Sequence, residues 1–412
     1  MLLLDGIVEG TLTVGESGMA DRISNAVLGA AAILFGLAGA PHLAGAQTKE
    51  PIKIGVVLPL TGPATAIGQE NLKGLQFAFD EAGNSAGGRP IQLVIADDQN
   101  SPNVGLTEVR RLVENEKVSA ILGTLSSAVA LAVNAFTTRA KMPYLSGGIV
   151  RDLTTSRKSP YTFRTSVAAG QLEGVIAQFA VQNGWRDIVL MGSDYAAGRD
   201  AVAQVGQTVK DLGGTVVSEV FPRAGETDYA PYFSRLADRK ADAVYGFFFG
   251  GDTLRFVRQY RSFGLKFPLI MTDNALASGG VALALGKDID GVYSVEYWVN
   301  ALTDPHSKAF IEAYSKKYNM APEGIAYCGY LEGRIIVEAL KALKGDVQSS
   351  EDLAKAIKAV SFDAPGGPFK FDENNNPIVN GYFVQWSWDG TKPTAKFLKT
   401  VTGITQDWSP AK

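Results

Sequence analysis

Residues 118–136, VSAILGTLSSAVALAVNAF, read as a short apolar strand, a loop of Gly, Thr and Ser, and the first turns of a helix. The same succession returns at 187–205 (DIVLMGSDYAAGRDAVAQV) and at 241–260 (ADAVYGFFFGGDTLRFVRQY). In an open α/β sheet, ligands bind outside the carboxyl ends of the strands, where loops lead into helix N-termini. A chain that repeats this unit in two halves predicts a protein that holds a small molecule.

Working outward, Ile52–Leu58 (IKIGVVL) reads as a buried parallel strand. A Gly-, Pro- and Thr-rich loop over 59–69 leads into a helix with Leu72, Leu75, Phe79 and Ala82 on one face. Residues 91–96 form the next strand, and the helix after it turns Val109, Leu112 and Val113 inward. This alternation predicts parallel sheets with right-handed crossovers. PYTFRT at 160–165 reads as a crossing into a second lobe, whose strands fall at 188–191, 215–220, 243–249, 269–271 and 291–295. The chain returns near Glu296-Tyr297-Trp298 to a helical stretch over 307–343, and 368–372 with 381–388 read as a late hairpin. The expected architecture is α/β, two doubly wound parallel-sheet lobes joined by three crossings. Lobe 1 takes 51–166 and 297–370, and lobe 2 takes 167–296 and 371–412. Three crossings make a hinge that can open and shut.

A chain of 412 residues suits two lobes better than one core. Its 46% apolar and 20% charged residues match a soluble globular protein. The first 46 residues stand apart. AVLGAAAILFGLAGA at 26–40, then Pro41 and Ala44-Gly45-Ala46, has the pattern of a secretory signal and its cleavage site. Asp5, Glu9 and Glu16 do not suit the start of such a signal, so Met19 is the expected initiator. Cleavage removes Arg22 from 39 basic residues and Asp5, Glu9, Glu16 and Asp21 from 42 acidic ones, leaving 38 of each. That balance draws neither nucleic acid nor an anionic membrane by bulk charge. Cys328 is the single cysteine, so no disulfide forms within the chain and the signal has no cysteine to lipidate. It reads as a buried small hydrophobe. The expectation is a monomer, free in a Gram-negative periplasm.

Catalytic hardware is sparse. The only histidines are His42, inside the signal, and His306, at a helix start. H-E-x-x-H, G-x-x-x-x-G-K-[ST], C-x-x-C and G-x-S-x-G are all missing. Asp97-Asp98 is a carboxylate pair, but adjacent residues at a strand end point apart, so capping is the stronger reading. No enzyme activity, metal or cofactor is expected.

IKIGVVLPLTGPATAIGQ (52–69), GTLSSA (123–128), PYTFRTS (160–166), SDYAAG (193–198) and GGPFKFDENNNP (366–377) together resemble one family. It is the periplasmic solute-binding proteins of ABC importers, in the branch that includes the leucine/isoleucine/valine-binding proteins. The similarity runs over 51–410. It implies a type I periplasmic-binding fold, a ligand buried between two lobes, and delivery to a membrane permease without chemistry on the ligand.

The candidate site follows from strand ends and from this resemblance. Ser126 and Ser127 start a helix, and their hydroxyls and free N–H groups suit a carboxylate. The resemblance implies that role; a plain N-cap is the alternative. Gly148 offers a closely approachable amide, with Ile149 beside it. Amino-acid binders of the family place a threonine just after this glycine pair, where this chain has Ile149 and Val150. Tyr195 matches a position where relatives press a ring onto the ligand, against a merely packed tyrosine. Of Phe247, Phe248 and Phe249, Phe248 is the ring expected in the cleft, with all three in the core as the alternative. Asp273 matches the place of an acid that receives a ligand ammonium; an N-cap before Ala275 is the other reading. Ala66 and Ile67 are expected on the cleft wall, and Arg164 is expected to brace the hinge. The expected solute is therefore a small hydrophobic carboxylate: a branched-chain amino acid if Asp273 plays the role the resemblance implies, or a plain aromatic or aliphatic acid on the evidence of Ile149 and Val150. A ligand sensor of the same fold is a further alternative.

Overall fold

The computed structural model describes residues 50–237 and 239–410. The expected signal over 1–46, and Met19 with it, lies outside the described residues. The strands are β1 (Ile52–Leu58), β2 (Ser85–Ala86), β3 (Arg89–Asp97), β4 (Ala120–Gly123), β5 (Tyr144–Ser146) and β6 (Thr162–Arg164), followed by β7 (Asp187–Gly192), β8 (Thr215–Val220), β9 (Ala243–Phe247), β10 (Leu269–Met271) and β11 (Tyr293–Glu296). β12 (Ser361–Ala364), β13 (Gly367–Lys370), β14 (Val379–Trp388) and β15 (Pro393–Ile404) complete the set. The helices are α1 (Thr65–Glu81), α2 (Pro102–Glu114), α3 (Ser127–Arg139), α4 (Glu173–Gln182), α5 (Ala196–Asp211), α6 (Ala230–Ala237), α7 (Gly251–Phe263), α8 (Val281–Leu285), α9 (Pro305–Tyr318), α10 (Gly324–Ala342) and α11 (Ser350–Lys358). No described helix is long and apolar enough to cross a membrane.

Two sheets carry the fold, in the orders β2-β3-β1-β4-β5-β6 and β15-β14-β11-β10-β9-β7-β8. Ile54 of β1 sits between Leu93 of β3 and Ala120 of β4 in parallel register. In both sheets the five parallel strands lie in the spatial order second, first, third, fourth, fifth. The order therefore reverses between β1 and β4, and again between β7 and β9. Such reversals are where doubly wound sheets open a crevice at their strand ends. Ile54, Val56, Val57 and Leu58 are fully buried, as strands covered on both faces require. The chain passes between the sheets three times, over 165–172, 297–304 and 371–378.

Three expectations change. The late hairpin is β14–β15, with Gly381 opposite Val401. Gly367–Lys370 pairs instead with Ser361–Ala364 in a small ribbon of its own. The helical stretch over 307–343 is two helices, broken where Asn319 takes φ +54° ahead of Pro322. Ala82 is only half-buried, whereas Phe77 and Ala78 join Leu72, Leu75 and Phe79 in the core. α1 and α10 then touch backbone to backbone. A Cβ on Gly74 would collide with the Ala326 carbonyl, and one on Gly329 with that of Asn71. Phe77 packs edge-on against Phe310 and Tyr314, with ring centroids 5.8 and 5.5 Å away.

Candidate functional site

The carboxyl ends of β4, β5 and β6 meet those of β9 and β10 at a cavity of about 60 Å³. From the first sheet come Leu125, Gly147 and Ile149; from the first crossing come Ser166 to Ala169. Phe247, Phe249 and the run Thr272 to Asn274 close it from the second sheet, with Glu173 at the start of α4. Ile325 and Cys328 of α10 complete the wall. Two broader depressions, one beside Lys158 and Glu373 and one beside Asp304 and His306, lie away from these strand ends.

The expected site residues fall into three groups. Ile149 and Asp273 line the cavity. Ser126, Ser127 and Tyr195 adjoin it. The two serines are half-buried at the start of α3, next to Leu125, and the Ser126 side chain makes no capping hydrogen bond. Tyr195 stands behind the wall with its ring centroid 6.2 Å from that of Phe247. Gly148, Phe248 and Ala66 are placed elsewhere. The Gly148 N–H is taken by Ser146 Oγ at 3.1 Å and its carbonyl by Arg164, so Gly147 is the glycine at the cavity. Phe248 points the opposite way from its neighbours, stacked on Phe256 at 4.5 Å, because successive strand side chains alternate. Ala66 is exposed on the first turn of α1; Ile67 beside it is the one facing the second sheet, at Gly279.

Glu173, Thr272, Ile325 and Cys328 were not foreseen. Glu173 gave one signal, being the sole acid inside the apolar run LEGVIAQFAV. Cys328 is buried as read, but at the cavity, with Thr165 Oγ1 3.7 Å from its sulfur. No motif marks the start of α10 as a wall.

The polar end of the cavity is acidic. Asp273 Oδ1 accepts the Tyr297 N–H at 3.1 Å and Oδ2 accepts from Asn274 Nδ2 at 2.9 Å. No helix begins at Ala275, so the N-cap alternative for Asp273 is set aside. Behind it, Glu296 accepts from Ser294 Oγ at 2.6 Å and from the Asn274 N–H at 2.8 Å. Burial first, and then the Glu296 charge, hold Asp273 well above the usual carboxylate range, while burial pushes Glu296 up to about 7. Glu173 is raised by burial as well, although Tyr245 Oη, Thr272 Oγ1 and the Gly170 N–H all donate to it within 3.1 Å. Among the described residues, no Lys, Arg or His lines the cavity. A cation arriving beside Asp273 would favour its charged form; a neutral or apolar group would not.

Arg164 braces the crossings. Its fully buried guanidinium donates to the carbonyls of Gly148 and Val150, to Thr154 Oγ1 and to Asn376 Oδ1. Asp97 does loop work, its Oδ1 accepting the N–H groups of Leu60 and Gln99 at 2.8 and 2.9 Å.

Comparison with known proteins agrees with this architecture. Residues 51–392 match the periplasmic binding protein family. A Leu/Ile/Val-binding protein homolog 7 of Brucella suis biovar 1 is 30% identical over 381 residues, covering 86% of this chain and 94% of the relative. Among solved structures, an ABC transporter substrate-binding protein from Sphaerobacter thermophilus is 34% identical with a TM-score of 0.82, covering 87% of this chain and 99% of its own. A solute-binding protein of an R. palustris ABC transporter, in complex with benzoate, is 28% identical with a TM-score of 0.80, covering 87% and 98%. The chain belongs to the periplasmic binding protein family. Within it, this is a substrate-binding protein of the ABC-transporter kind with the type I fold.

Proposed function

We propose that this chain captures a small hydrophobic carboxylate between its two lobes in the periplasm, as a monomer, and hands it unchanged to an ABC importer permease. The observation that carries the reading is the cavity itself. It lies at the strand ends of both sheets, its wall is mainly apolar, and among the described residues its only acidic side chains are Glu173 and Asp273. Each lobe supplies part of the wall, so a solute that bridges them favours the closed form. Burying a leucine-sized group against Leu125, Ile149, Phe247 and Phe249 is worth about 1.5–3 kcal/mol.

In a branched-chain amino acid, the ammonium is placed against Asp273 and the carboxylate toward the amides and hydroxyls at Ser126 and Ser127. The Brucella relative carries the name of such a binder. A second reading, an aromatic acid without an amino group, is favoured by the perpendicular Phe247 and Phe249 rings, 5.1 Å apart, and by the benzoate bound in the R. palustris protein. Titration calorimetry of refolded protein with leucine, isoleucine, valine, benzoate and 4-hydroxybenzoate separates them. Asp273→Asn weakens amino-acid binding at least about tenfold if the ammonium sits there. Plain acids binding alone would assign the site to the second reading, and no binding by any of the five would reject both.

A further inference from the structure

Outside the cavity, carboxylates fasten the two halves of the fold together. Glu70, on α1 beside the first sheet, is 9% exposed. Its Oε2 accepts the N–H of Gly279 at 2.8 Å, in the second-sheet segment between β10 and α8. Its Oε1 accepts the N–H groups of Ile325 and Ala326, both at 3.0 Å. Those amides open α10 and have no partner within the helix. One carboxylate therefore caps α10 and reaches across to the other half. The next amide, Gly280 N–H, donates to Glu323 Oε2 at 2.9 Å. A third bond runs from the Gly324 N–H to the Ala277 carbonyl at 2.7 Å.

Gly279 and Gly280 take φ +60° and +71°, a backbone that suits glycine and brings two consecutive amides to carboxylates of the opposite half. Backbone N–H groups offset the two acids. Burial and the Glu323 charge push Glu70 up to about 8, as expected of two acids brought side by side away from water. Neither carboxylate lines the cavity.

We propose that Glu70 and Glu323 are positioning residues that set how tightly the cavity holds its solute, by clasping the Gly279 and Gly280 amides as the lobes close. The inference rests on the cavity being the solute site. Opening exchanges the clasp bonds for water, and apparent affinity follows the closed fraction.

The test compares wild type with Glu70→Gln and Glu323→Ala. Without solute, both variants show a larger radius of gyration by X-ray scattering. With leucine and benzoate as probes, whichever binds is released about tenfold faster in stopped-flow fluorescence. Saturating probe returns the wild-type radius, which a folding defect does not. Wild-type radius and release rate in both variants overturn the clasp. Glu323→Ala leaves the α10 cap intact and decides the question alone if Glu70→Gln does not fold. If neither probe binds wild type, the solute reading fails for them, while the scattering comparison still decides the clasp.

Discussion

Arg164 Nε donates to Asn376 Oδ1 at 2.8 Å, tying the end of β6, where the first passage between the sheets begins, to the third passage. Asn376 Nδ2 in turn donates to Gln171 Oε1 at 2.9 Å, so Arg164 and Gln171 share one buried network with a residue remote in sequence. A fully buried network of this kind makes the seam between the crossings rigid.

Arg164→Ala removes a buried guanidinium and leaves the Val150 carbonyl and Asn376 Oδ1 without its hydrogen bonds. The expected loss is about 3 kcal/mol, read from urea denaturation. Arg164→Lys recovers only part of it, because an ammonium does not match the planar fork. An unchanged midpoint in both would show that the seam does not depend on this residue.

The phenylalanine run separates core from site. Phe248→Ala empties a fully buried place between Phe256 and Tyr229, at a cost of about 3–5 kcal/mol in stability. Phe249→Ala, at a half-buried cavity wall, leaves stability within about 1 kcal/mol and weakens solute binding about tenfold. The reverse pattern, from thermal melts and calorimetry on the two variants, would refute the assigned orientations.

Gly147 has room for no side chain. A Cβ there would approach Leu125 Cδ2 to 2.7 Å and Cys328 Sγ to 3.3 Å, both on the cavity wall. Gly147→Ala is expected to weaken the solute about tenfold or more while the protein still folds. Wild-type affinity in this variant would mean that the wall yields freely.

Stability should fall as pH rises through neutrality. Glu332 is fully buried, accepts from Thr165 Oγ1 at 2.9 Å, and is pushed by burial from an ordinary 4.5 up to about 8. The folded state therefore holds a proton that the unfolded chain has already released. This contribution is complete below about 4.5 and is lost as pH rises through about 8. Glu70 and Glu296 are shifted in the same direction. Melting temperatures between pH 5 and 8.5 should decline in wild type and decline less in Glu332→Gln. Parallel curves would remove Glu332 from the account.

The alternation of short apolar strands with amphipathic helices was legible in the sequence, because local periodicity and turn residues dictate it. β1, β4, β7 and β9 are found where IKIGVVL, AILG, DIVLMG and AVYGF stand. The late hairpin was misread because GPFK and GYFVQWSW are equally good strands, and their partners are chosen by distant backbone.

The site was legible only in part. Asp273 and Ile149 follow strand ends and could be placed from the sequence. Which of three successive phenylalanines faces the cavity depends on strand phase, fixed by packing against Tyr229 and Phe256. Glu173, Cys328 and the Glu70 clasp draw their meaning from partners far away in the sequence, Thr272, Thr165 and Gly279, which local periodicity does not reach.

The sequence by itself determined the two doubly wound sheets and the kind of protein they make, since hydrophobic period and loop chemistry act over a few residues. Tertiary structure alone decided which side chains meet at the cavity and which carboxylates hold it shut. Those choices depend on α1 and α10 packing backbone to backbone and on the crossings that bring the strand ends face to face.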